Sequence, residues 1–163
     1  MIAVLMGVCG CGKTTVGRAL ATTLGWPFHD ADDFHPPSNV EKMAAGIPLT
    51  DADRWPWLAR VAEEMQRIED GGRNAVLACS ALRQVYRDRI KVAGDVRFVH
   101  LAGQYDTIAE RLAARSHRYM PATLLTSQFA TLEPPADALV IDIRESVEQQ
   151  VAHIRAALLG AAA

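Results

Sequence analysis

Hydrophobic residues in this chain gather into short unbroken runs rather than alternating with polar ones. Ile2–Met6, Ala75–Cys79, Val96–Leu101 and Ala138–Ile143 are such runs, and Pro27–His29 is a weaker one. A strand with one wet face alternates apolar and polar residues, whereas an unbroken apolar run fits a strand covered on both faces, as in a parallel sheet. Between the runs, apolar residues recur at helical spacing over Thr14–Leu24, Trp57–Ile68, Leu82–Val92, Thr107–Ala114 and Ser146–Leu159. Gly71-Gly72 and Pro134-Pro135 break helices just ahead of the third and last runs. The alternation predicts an α/β layer fold: a five-stranded parallel sheet flanked by helices, joined by right-handed crossovers.

Ligands of open α/β sheets bind at the carboxyl ends of the strands. After the first run comes Gly7-Val8-Cys9-Gly10-Cys11-Gly12-Lys13-Thr14, which satisfies G-x-x-x-x-G-K-[ST] between a strand and a helix. The glycines let backbone N–H groups turn inward as an anion nest, and the helix N-terminus adds positive potential. Gly7, Cys9, Gly10, Cys11, Gly12 and Thr15 are therefore expected to hold nucleotide phosphates through the loop and the first helical turn. Lys13 should reach the β- and γ-phosphates, and the Thr14 hydroxyl should ligate Mg²⁺ beside ATP. No guanine-reading Asn-Lys-x-Asp segment follows, which argues against a GTPase, and the chain is short for a motor or transporter ATPase. A compact P-loop kinase of the nucleotide or small-molecule type remains.

The second run leads into His29-Asp30-Ala31-Asp32-Asp33-Phe34-His35-Pro36. Three carboxylates in four positions suit a site that needs a magnesium ligand and a proton acceptor. In an extended segment Asp30 and Asp32 share one side, so one could hold the metal through water while the other takes the hydroxyl proton. Beyond the third run, Arg83 and Arg87 lie one helical turn apart and could face the acceptor as a cationic pair; the alternative is surface arginines partnered by residues such as Asp88. From Tyr105 to Glu133 the sequence reads as helix, arginine-rich turn and helix, a lid over approximately 105–133 whose closure would bring Arg111, Arg115 and Arg118 toward the phosphates.

Composition adds limits. A length of 163 residues favours a single domain spanning 1–163. With 17 basic against 19 acidic side chains, there is no electrostatic reason to expect nucleic acid or an anionic membrane as partner. No apolar run approaches the roughly 20 residues that span a bilayer, and no cationic leader precedes Ile2, so the cytoplasm is the expected compartment. The three cysteines, Cys9, Cys11 and Cys79, are too few for a disulfide framework. All three are expected at the phosphate site, with Cys9 and Cys11 activated by the helix N-terminus and Lys13 and open to oxidation or alkylation.

Longer runs carry a resemblance. His35-Pro36, Asn39, Glu41-Lys42-Met43, Gly46, Pro48-Leu49 and Asp51-Ala52-Asp53-Arg54-Trp55-Pro56-Trp57-Leu58 resemble the gluconokinase family. So do Cys79-Ser80-Ala81-Leu82, Tyr86-Arg87-Asp88, and Ser127-Gln128-Phe129 through Leu132-Glu133. The resemblance covers essentially the whole chain. It implies phosphorylation of D-gluconate by ATP at the terminal hydroxyl, a fold like that of shikimate and nucleoside monophosphate kinases, and a homodimer. It also implies Asp32 as base, Asp30 at magnesium, and His35, Arg54, Arg83 and Arg87 around the polyol and its carboxylate. Arg111 would lie against adenine and Arg115 against phosphate, so that Lys13, Asp32 and Arg115 form the catalytic set. The chain departs from the family at Cys9 and Cys11, where serines are usual, and at His117-Arg118-Tyr119. Shikimate or another hydroxy acid as acceptor, and ATP sensing without turnover, are the alternative readings.

Overall fold

A computed structural model of the protein describes residues 1–91, 94–114 and 122–160. Its five strands are β1 (Ile2–Met6), β2 (Phe28–Asp30), β3 (Ala75–Ala78), β4 (Val96–Ala102) and β5 (Leu139–Asp142). They form one sheet in the order β2-β3-β1-β4-β5, with every neighbouring pair parallel. The helices are α1 (Lys13–Leu24), α2 (Pro37–Ala44), α3 (Asp51–Asp70), α4 (Gln84–Ile90), α5 (Tyr105–Ala113), α6 (Ala122–Thr131) and α7 (Val147–Leu159), with a 3₁₀ turn at Ala31–Phe34. The expected five-stranded parallel sheet with flanking helices is therefore present. Among the described residues, no helix is long and apolar enough to cross a membrane.

The central strand explains the unbroken apolar runs. All five residues of β1 are buried, and its period of two divides them between two cores. Ala3 and Leu5 join Leu20 of α1, Val99 and Leu101 of β4 and Ile154 of α7. Ile2, Val4 and Met6 join Trp57, Leu58 and Met65 of α3 and Ile90 of α4.

Three elements differ from the sequence reading, each for a local reason. Helix α2 is not among the helical stretches read from the pattern; Pro37 stands at its start, where the missing N–H costs nothing. Helix α3 begins at Asp51 rather than Trp57, and Pro56 lies inside it. Its start is fixed by a capping box, in which Thr50 Oγ1 accepts from the Asp53 N–H at 3.2 Å and the Thr50 N–H donates to Asp53 Oδ2 at 2.9 Å. The longer α3 puts Asp51 and Arg54 on a rigid helical turn. Helix α4 begins at Gln84 rather than Leu82, because Ala81, at φ 41°, turns the chain out of β3. The stretch 105–133, expected as a lid, contains α5 and α6; Arg115, His117, Arg118 and Tyr119 lie outside the described residues.

Trp57 ties this framework to the site. It is buried, its Nε1 donates to the Ala31 carbonyl at 2.7 Å, and its ring stacks on His35. Trp57→Phe keeps most of the apolar contact but leaves that buried carbonyl without its donor. It should lower stability by about 1–3 kcal/mol, measured by urea unfolding.

Candidate active site

The phosphate loop runs from the end of β1 to the start of α1, and its backbone demands glycine. Gly7 has φ 140°, and a Cβ there would lie 2.9 Å from both Cys11 Sγ and the Leu101 carbonyl. Gly10 has φ 84° and packs so closely on α5 that a Cβ would lie 2.8 Å from Leu112 Cγ. Gly12 caps α1 without a side-chain hydrogen bond, and no acidic residue stands in the first turn. The unpaired N–H groups of that turn and its dipole suit an anion. Lys13 Nζ donates to the carbonyls of Gly7 and Val8, at 3.0 Å each. Burial opposes the Lys13 charge, but the field of Cys11, Cys9, Asp32 and Cys79 outweighs it and leaves its pKa above the ordinary lysine value. Thr15 is exposed on the same first turn.

The Thr14 hydroxyl donates to Asp30 Oδ2 at 3.0 Å and so joins the start of α1 to the end of β2. The other oxygen of Asp30 accepts from the Asp32 N–H at 3.1 Å and caps the 3₁₀ turn. Asp30 and Asp32 therefore do not share a side of one extended segment, as the spacing suggested; Asp30 ends the strand, and its own side chain bends the backbone before Asp32. The donor pair Thr14 Oγ1 and Asp30 Oδ2 is made of hard oxygens beside the phosphate loop, and so fits Mg²⁺, which is bound through few protein oxygens plus substrate phosphates. Among the described residues there is no cluster of three or more His, Cys, Asp or Glu side chains.

Asp32 projects outward, with its side chain 65% exposed, close enough to Lys13 to influence it. His35 lies behind it, with a side chain only 3% exposed, its ring stacked on Trp57 at 4.3 Å. Burial, then the Arg54 guanidinium, pushes the His35 pKa down to about 4, so the ring is neutral at physiological pH.

Across from this turn, the first turns of α3 and α4 form a charged cluster. Arg83 Nη1 donates to Asp51 Oδ2 at 2.8 Å, and Arg83 Nε donates to Glu133 Oε1 at 3.2 Å. The Tyr86 hydroxyl donates to Asp51 Oδ1, and Arg54 Nη1 donates to the Tyr86 oxygen at 3.3 Å. The Tyr86 hydrogen bond, with Arg83 and Arg54 assisting, holds the Asp51 carboxyl below its usual range. Glu133 Oε2 also accepts from the Gln84 N–H at 2.6 Å, which pins the end of the lid region to the start of α4.

The expected pairing of Arg83 with Arg87 does not form. Arg87 is 3% exposed, and Nη1 donates to the carbonyls of Ala81 and Leu82 at 3.0 and 3.2 Å, with Gln84 Oε1 taking two further bonds. The turn after β3 exposes carbonyls to the inner face of α4, and Arg87 is the residue on that face. Arg111, at the end of α5, donates to the Ile143 carbonyl at 2.5 Å and so stands beside the turn after β5. Arg115 lies outside the described residues.

The three thiols do gather here, but two of them, Cys11 and Cys79, are buried rather than open to reagents. Cys11 and Cys79 are each 1% exposed, and burial pushes the Cys79 thiol up to about 12. Cys9 is half-buried, and its N–H donates to Gln128 Oε1 of α6 at 2.6 Å. Gln128, Asn39, Asp51, Tyr86 and Glu133 receive no role from sequence reasoning. Each lies in one of the runs that carry the family resemblance, which is the available signal, but their partners are set only in space.

The family model described as shikimate kinase matches residues 9–156. The gluconokinase of Gluconobacter oxydans (strain 621H) is 51% identical over 137 residues, covering 82% of this chain and 76% of its own. A probable gluconokinase of Xenopus tropicalis is 43% identical over 173 residues, covering 94% of this chain and 91% of its own. Among solved structures, a gluconokinase from Sinorhizobium meliloti 1021 superposes with a TM-score of 0.83 at 37% identity, covering 99% of this chain and 97% of its own.

Asp53 offers a test of how α2 and α3 are held around the site. Lys42 Nζ donates to both its oxygens, at 2.7 and 2.9 Å, and this contact, then Thr50, pulls its pKa down to about 2. An unfolded aspartate titrates near 3.9, so the stabilisation is fully present above about pH 4 and is lost as pH falls through about 2. Asp53→Asn should lower the Tm at neutral pH, and the gap from the parent protein should close across that acid window in thermal melts.

Proposed function

The chain belongs to the gluconokinase family, and from that premise we propose that it transfers the γ-phosphoryl group of ATP to D-gluconate, giving 6-phosphogluconate and ADP. The observation that carries this reading is the Thr14–Asp30 bond, which sets a complete phosphate loop against a carboxylate-bearing turn. In the proposed reaction the terminal hydroxyl oxygen of gluconate bonds to the γ-phosphorus as the bond to the β–γ bridging oxygen breaks. The hydroxyl proton passes to Asp32, and ADP leaves.

The loop backbone from Gly7 to Gly12, with Thr15, cradles the phosphates, and Lys13 follows charge from the β- to the γ-phosphate. Thr14 and Asp30 would hold Mg²⁺, which when bound neutralises phosphate charge. Arg83 and Arg54, braced by Asp51 and Tyr86, are the cations available to the gluconate carboxylate; a braced guanidinium loses little freedom on forming a bidentate pair. Arg87 serves this site by ordering the turn that carries Arg83. Arg111 takes the adenine side, supported by its position beside the turn after β5, and Arg115 takes phosphate when the lid over 105–133 closes. We place the enzyme in the cytoplasm as a homodimer; three cysteines are too few for a disulfide framework, which suits a reducing compartment.

ADP release measured with gluconate, shikimate, other aldonates and no acceptor tests the assignment. Gluconate alone should stimulate strongly; stimulation by shikimate instead would reassign the acceptor, and stimulation by none would favour ATP sensing. Asp32→Asn should reduce kcat by roughly 10²–10⁴-fold with ATP affinity nearly unchanged, as for loss of a general base. Unaltered turnover would remove Asp32 from that role.

A further inference from the structure

The least exposed polar side chains near Asp32 belong to Asn39 and His35, and their hydrogen bonds define a direction. Asn39, on α2, is 2% exposed. Its Nδ2 donates to the Asp53 carbonyl at 2.9 Å, and because a backbone carbonyl only accepts, this bond fixes which end of the amide is nitrogen. The same Nδ2 lies 3.2 Å from His35 Nδ1. An amide nitrogen has two hydrogens and accepts none, so His35 Nδ1 must be the acceptor and the ring proton of a neutral His35 must sit on Nε2. That Nε2 faces Asp32 Oδ1 at 3.9 Å.

The ring is fixed in this pose. It lies nearly parallel to Trp57, at an interplanar angle of 15°, and Trp57 is itself bonded to Ala31, the residue before Asp32. A flipped ring would present carbon to Asn39 and lose that bond.

We infer that Asn39 and His35 form a relay that fixes the Nε2–H tautomer and donates a hydrogen bond to Asp32, orienting its carboxylate for the acceptor hydroxyl. The inference rests on the reading of Asp32 as proton acceptor. It makes His35 a positioning residue rather than a ligand of the polyol, in keeping with its buried side chain. A distance of 3.9 Å is longer than a hydrogen bond, and catalytic hydrogen bonds often tighten only with substrate in place. A neutral donor also suits this role, because it directs the carboxylate without the charge of an imidazolium, which would make the carboxylate a weaker base. Burial and the nearby Arg54 keep His35 in that neutral form.

The wild-type chain supplies the first test through ¹⁵N NMR of its imidazoles, where His35 should show a protonated Nε2 and a bare Nδ1. A protonated Nδ1 overturns the relay. In steady-state assays with ATP, Mg²⁺ and gluconate, His35→Ala should lower kcat by roughly tenfold to a hundredfold, a part of a general base's contribution. KM for gluconate and for ATP should stay within about twofold, because the interaction acts on the transition state rather than on binding. His35→Gln places an amide N–H near the position of Nε2 and should restore most of the rate. A raised gluconate KM at unchanged kcat would make His35 a substrate ligand, and failure of glutamine to rescue would remove the donor role; either overturns the relay. Adding His35→Ala to Asp32→Asn should cost nothing further, whereas an additive loss separates His35 from Asp32. If Asp32→Asn retains its rate, the reading of Asp32 fails; if only His35→Ala retains it, the relay alone fails.

Discussion

Burial of β1 on both faces is the constraint from which the rest of this molecule follows. A strand with no wet face must be flanked by parallel neighbours and covered by helices, and each crossover returns the chain to the same edge of the sheet. The phosphate loop, the Asp30–Phe34 turn, the Ala81–Arg83 turn and the turn after β5 therefore leave the sheet at a common end. The fold brings carboxylates, arginines and an anion nest together without any of these segments being close in sequence.

That end of the sheet is irregular, and its backbone groups need partners that no ladder provides. Buried side chains supply them. Trp57 satisfies the Ala31 carbonyl, Arg87 satisfies those of Ala81 and Leu82, and Gln150 satisfies that of Glu145. The polar groups that look most expensive to bury are thus the ones that hold the site turns in place.

The charged cluster around Arg83 is built on another principle. Asp51, Arg83, Glu133 and Arg54 stay partly exposed and alternate donors and acceptors around the buried Tyr86, so that two arginines are ordered without being neutralised in a dry interior. The cluster also spans the molecule. Glu133 follows α6, whose Gln128 reaches the Cys9 N–H of the phosphate loop, so this segment is joined both to the phosphate loop and to the start of α4.

The sequence by itself determined the sheet, the phosphate loop and the acidic turn. Those features are local: apolar runs report two-sided burial, and the glycine spacing of Gly7–Thr14 reports a backbone that only glycine adopts comfortably. Helix bounds are less legible: α2 opens on Pro37 and α3 contains Pro56, because the effect of a proline depends on its place in a helix and the capping residues around it. Only the tertiary structure decided the fate of the polar side chains. Arg83 and Arg87 are the same residue type four positions apart, yet one is held by carboxylates at the site and the other is buried on backbone carbonyls. Asn39 and Gln128 also take partners that are remote in sequence, Asp53 and Cys9, which lie 14 and 119 residues away. A hydrogen bond is chosen by proximity and direction in space, and the sequence records neither until the chain has folded.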